Sequence, residues 1–120
     1  FKGYFATEED TAETIRETLE GTNNLIDTHT AVGAAVYQKS GDKTPTVLLS
    51  TASPYKFPHS VLTAINGTAP DDEFECAATL EKMGVKMPAS IAELKQKPIL
   101  HKNVCEKQDM KNYILNSVNK

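Results

Sequence analysis

The chain lacks tryptophan and holds only two cysteines, Cys76 and Cys105, which share no C-x-x-C or Cys/His ligand spacing. A disulfide framework therefore has no support, and the thiols are expected to be reduced and structural. His29, His59 and His101 stand in unrelated contexts, so no metal site is expected. A Walker lysine loop, a G-x-G-x-x-G turn and a G-x-S-x-G elbow are all missing, which leaves nucleotide binding and serine hydrolysis without their usual signatures. No apolar run approaches the roughly 20 residues that cross a bilayer, and Phe1-Lys2-Gly3-Tyr4 does not open a signal peptide, so a cytoplasmic protein without membrane contact is expected. A net charge of -3 without a clustered basic face argues against nucleic acid as a partner.

What is present describes a soluble globular segment: 39% apolar and 24% charged residues over 120 positions, enough for one modest core. An initiator methionine is absent and the chain opens in what reads as folded sequence, so processing or truncation is expected. Thr7 and Asp10 form a capping-box pattern ahead of the stripe Ala12, Ile15 and Leu19, predicting a helix over about Thr7 to Glu20 that Gly21 ends. Asp27 can cap a second helix through Tyr37 whose small and apolar residues run almost all the way round, the mark of burial on several sides. Pro58 opens a third that Gly67 stops, Asp71 or Asp72 caps a fourth before Gly84, Pro88 begins a short fifth, and Glu106 to Val118 carries the last stripe.

Between the second and third helices, Pro45-Thr46-Val47-Leu48-Leu49-Ser50-Thr51-Ala52-Ser53-Pro54 passes from an apolar run into hydroxyls and a proline turn. That pattern predicts a strong buried strand over about residues 45–51, and hence an α/β, mostly helical fold with about six helices and no internal domain boundary. Open α/β sheets bind ligands at the carboxyl ends of their strands, which favours a binding role for Ser50-Thr51-Ala52-Ser53, although hydroxyls also cap turns. A second polar cluster, Asp27-Thr28-His29-Thr30, opens the apolar helix, and reading Asp27 as a plain N-cap is slightly favoured there. Lys56 lies close to the hydroxyls, in a setting where a surface lysine is the commoner outcome.

Taken together, Asp27-Thr28-His29-Thr30-Ala31-Val32-Gly33 and Leu49-Ser50-Thr51-Ala52-Ser53-Pro54-Tyr55-Lys56-Phe57-Pro58 resemble the carboxyl-terminal part of threonine synthase, most closely from about Leu25 to Gly67. The resemblance implies residues 1–120 of a larger two-domain, fold-type II pyridoxal 5'-phosphate enzyme, a lyase of threonine biosynthesis converting O-phospho-L-homoserine and water into L-threonine and phosphate. It places Thr51, with Ser50 as fallback, against the cofactor's pyridine nitrogen, and makes His29, Thr30 and Lys56 lining residues. The family's Schiff-base lysine belongs to an earlier segment. This stretch is thus expected to hold no catalytic residue, to retain no cofactor, to be inactive alone, and to pair with the missing amino-terminal part or with itself. Two other readings remain open: another fold-type II enzyme resembling an amino-acid dehydratase, and a non-catalytic helical interaction module.

Overall fold

In the computed structural model, which describes residues 3–118, the chain folds as helices: α1 (Glu8–Thr22), α2 (Thr28–Ser40), α3 (Pro58–Asn66), α4 (Glu73–Lys82), α5 (Ala89–Ala92) and α6 (Met110–Val118). Short 3-10 turns at Pro54–Lys56, Leu94–Gln96 and Lys107–Asp109 interrupt the connections.

Local chemistry explains most of the boundaries. The capping box at α1 is complete: the Asp10 amide donates to the Thr7 hydroxyl at 3.1 Å, and the Thr7 amide to the Asp10 carboxylate at 2.7 Å. Gly21 does not stop this helix. Asn23 does so in the left-handed region at φ 57°, donating to the Leu19 carbonyl, because asparagine tolerates that conformation well enough to serve as a cap. Gly41 and Gly67 close α2 and α3 with φ of 67° and 79°. Of the two candidate aspartates Asp72 is the cap of α4, accepting from the Phe74 and Glu75 amides. α5 runs only four residues before the chain tightens into a 3-10 turn.

The core has two parts joined by Leu25 and Ile65: Ile15, Ala31 and Ala64 between α1, α2 and α3, and Tyr55, Val61, Leu62, Cys76, Ala77 and Leu80 between α3 and α4. Each fully buried Ile, Leu or Val here contributes about 1.5–3 kcal/mol. Polar ties reinforce the packing. Arg16 donates to the Ala64 carbonyl at 2.9 Å, satisfying an acceptor in the last turn of α3, and the Tyr55 hydroxyl donates to the Val85 carbonyl at 2.5 Å. Burial, and secondarily the Glu81 carboxylate, raises the Tyr55 pKa and keeps that donor protonated.

The α/β expectation is overturned. No strand forms among the described residues, and the fold is helical throughout. The segment expected to be a buried strand at 45–51 is irregular and exposed, with Val47 at 85% and Leu49 at 80% of their full accessibility. A β-ladder needs a partner, and no described segment supplies one. Instead the segment returns along α2: the Tyr37 hydroxyl donates to the Thr44 carbonyl at 2.9 Å, Leu48 sits over Gly33, and Ser50 meets Thr30. For the same lack of partners α2 buries Ala31 and Ala35 but leaves Val32 exposed, so burial on several sides is corrected too. Cys76 is buried with its thiol on the Pro70 carbonyl, whereas Cys105 is exposed and has no structural role among the described residues.

Candidate functional site at the start of α2

Asp27 organises this region. Its side chain is 2% exposed and accepts from the His29 amide at 2.9 Å and the Thr30 amide at 3.4 Å, the arrangement of an N-cap. The Thr30 hydroxyl donates to the second carboxylate oxygen. Burial pushes the Asp27 pKa upward, but the hydrogen bonds from Thr30 and the two amides, with a smaller contribution from His29, outweigh it and leave the pKa below the ordinary value. The group is therefore an ionised, acceptor-only carboxylate at neutral pH.

Thr30 also reaches across 20 positions of sequence, its hydroxyl oxygen lying 3.1 Å from that of Ser50. Thr51, the next residue, is exposed, and its hydroxyl is engaged by no hydrogen bond among the described residues. Ser53 is occupied as a local cap, accepting from the Tyr55 amide at 3.3 Å ahead of the turn Pro54–Lys56. Of the three hydroxyls in the cluster, that of Thr51 is thus the one presented to solvent without a hydrogen-bonding partner among the described residues.

His29 and Lys56 meet through an aromatic ring. The imidazole stacks on Phe57 with centroids 5.6 Å apart and planes inclined by 29°, while the Lys56 ammonium lies 5.5 Å from the same ring's centroid. Beside them runs an open groove of about 290 Å³ lined by Glu8, Thr11, Thr28, His29, Val32, Phe57 and Ser60. A roomier groove of about 560 Å³ lies between Tyr4 and the far end of α2, but its lining holds none of the residues expected to act. Of the residues expected to act, the first groove holds His29 alone in its lining.

The structure accordingly joins Thr30 to Ser50 and His29 to Lys56, and leaves Thr51 free beside the first pair. Sequence reasoning undervalued Asp27, treated as a cap alone, and missed Phe57, read only as part of a helix opening. The Asp27–Thr30 spacing of three was a visible signal for the first. The stacking of Phe57 on His29 depends on how α2 and α3 approach and had no local signature. Among the described residues no group of three His, Cys, Asp or Glu side chains is placed to hold a metal, and no helix is long and apolar enough to cross a membrane.

These features define a helical segment whose polar corner, set between α2 and α3, offers a free hydroxyl. Residues 30–114 match the family described as threonine synthase, C-terminal, and the chain belongs to that family. Over 72 residues it is 40% identical to the threonine synthase of Pseudomonas aeruginosa, a match that takes in 58% of this chain and 15% of that protein.

Proposed function

We propose that this chain is the carboxyl-terminal part of a larger, two-domain threonine synthase that converts O-phospho-L-homoserine and water into L-threonine and phosphate with pyridoxal 5'-phosphate. The family match over residues 30–114 carries the reading, because it contains Thr30, Ser50, Thr51 and Lys56 within one aligned stretch. When bound, the cofactor supplies an electron sink for the substrate's α- and β-carbons.

The residues present fit one edge of that group. An exposed, unengaged Thr51 hydroxyl suits a hydrogen bond to the ring nitrogen, and a neutral alcohol there, unlike a carboxylate, does not hold the nitrogen protonated. Ser50, tied to Thr30, serves less well than Thr51, while His29 and Thr30 line the approach. Lys56, drawn over the Phe57 ring, is a lining cation. No catalytic residue is assigned within the 120 positions, and the piece by itself is expected to be inactive and free of cofactor. The protein acts in the cytoplasm, on a small-molecule substrate, with the remainder of its own polypeptide as the partner of this segment.

The test is phosphate release from O-phosphohomoserine by the longer polypeptide that contains this sequence. Turnover in that protein, and none in the 120-residue chain, is expected. A soluble, cofactor-loaded longer protein that releases no phosphate, or that turns over threonine or serine as a dehydratase in its place, overturns the reading.

A further inference from the structure

We propose that Asp27 and Thr30 are positioning residues whose clasp on Ser50 fixes the rotation of the backbone at 50–51 and so aims the Thr51 hydroxyl away from α2, toward the ligand. This rests on the reading of Thr51 given above.

Proton bookkeeping carries the argument. Thr30 has one hydroxyl hydrogen, and the ionised Asp27 carboxylate, buried to 2% exposure, accepts only, so that hydrogen belongs to Asp27. The 3.1 Å contact between the Thr30 and Ser50 oxygens then needs the Ser50 hydrogen, which is committed inward. Ser50 has no hydrogen left for a ligand. Thr51, the residue after Ser50, is exposed, and its hydroxyl meets no hydrogen-bonding partner among the described residues. With the Ser50 hydroxyl tied to Thr30 of α2, Thr51 is the neighbour whose hydroxyl stays free for a ligand. The Leu48 contact with Gly33 and the Tyr37–Thr44 hydrogen bond hold the same segment upstream, but neither sets the rotation at residue 51.

Capping alone would not require this geometry. An N-cap needs only the amides of His29 and Thr30, and the reach to Ser50 adds nothing to α2. Thr30→Val removes the hydroxyl and keeps both amides. Ser50→Ala breaks the same clasp from the other end without stranding the Asp27 carboxylate, so it stays informative if Thr30→Val fails to fold. Thr30→Ser restores the link.

Two readouts test the proposal. In the 120-residue chain, NMR three-bond HN–Hα coupling at Thr51 is expected to report one backbone φ in the parent and Thr30→Ser, and averaging in Thr30→Val and Ser50→Ala, with amide exchange from Ala31 to Ala35 unchanged. Couplings that ignore both variants overturn the clasp. In the longer polypeptide, the cofactor's absorption spectrum and dissociation constant are read. Thr51→Val is expected to shift the spectrum, and Thr30→Val and Ser50→Ala to shift it the same way with binding weakened about 5-fold, the size of one neutral hydrogen bond. If Thr51→Val alone has an effect, the positioning role falls while the Thr51 contact survives. If Thr51→Val changes nothing, the contact itself falls and takes this inference with it, whatever the NMR shows.

Discussion

α3 and α6 are each nine residues long and each carries an apolar stripe, yet one is the centre of the core and the other lies in solvent. Val61 and Leu62 of α3 are at most 1% exposed, whereas Met110, Tyr113, Ile114, Leu115 and Val118 of α6 range from 41% to 77%. No residue after Leu80 is buried among those described, and Ile99, Leu100 and Val104 are also exposed. The radius of gyration shows the consequence: 18.3 Å, against about 14 Å for a compact chain of this length. An amphipathic pattern is enough to make a helix but does not supply the surface it needs. α3 has α1 and α4 on either side, while α6 mainly meets the short turn before it.

The contrast is broken most forcefully at Leu62. Leu62→Ala opens a cavity at a fully buried position and is expected to cost about 2–5 kcal/mol, read as a lowered urea midpoint. Tyr55→Phe is the next largest. It keeps the ring in the α3–α4 core but leaves the Val85 carbonyl without its donor, for an expected loss of about 1–2 kcal/mol in the same measurement. A neutral result there would mean that the 83–87 segment is held by Met87 and Val85 packing and by its backbone hydrogen bonds to the end of α4.

The residues that behaved as expected are those whose interactions are local. Thr7 with Asp10, Asp27 with the next two amides, Pro58 in the first turn and Asp72 with its own helix all act within one turn of themselves, so spacing revealed them. Residues 45–51 failed because a strand is a property of two segments, and hydrophobicity in one says nothing about the other. The candidate site divides along the same line. Asp27–Thr30 was readable at a spacing of three, but Ser50 joins them only because the chain folds back along α2, and Phe57 reaches His29 only because α2 and α3 start side by side.

Acid sharpens the comparison, since it acts on the buried carboxylate of the packed region. The Asp27 pKa is lower in the folded chain than in the unfolded one, so between those two values the unfolded state binds more protons. Its contribution is therefore complete above the ordinary carboxylate range, near about 3.9, and is lost as pH falls through the depressed folded value. Asp27→Asn, which can still cap, is expected to cost about 1 kcal/mol at neutral pH, and urea midpoints should show the gap to the parent narrowing as pH falls below the ordinary carboxylate range. Asp10, drawn down to about 2 first by its hydrogen bond from Lys39 and then by Thr7, titrates in both proteins and cancels in the difference.

The smallest expected effect is the sharpest check on the contrast with which it shares a scale. Ile114 has the same aliphatic bulk as the buried Ile15 but is 54% exposed, so truncation removes little area from contact with protein. Ile114→Ala should change the urea midpoint by no more than about 0.5 kcal/mol equivalent, compared with about 2–5 kcal/mol for Ile15→Ala. A measured loss above 1 kcal/mol at Ile114 would mean that α6 finds a surface in solution, either on α1–α4 or on a second copy. Repeating the measurement over a tenfold range of protein concentration separates those two, because only association between copies makes the midpoint rise with concentration.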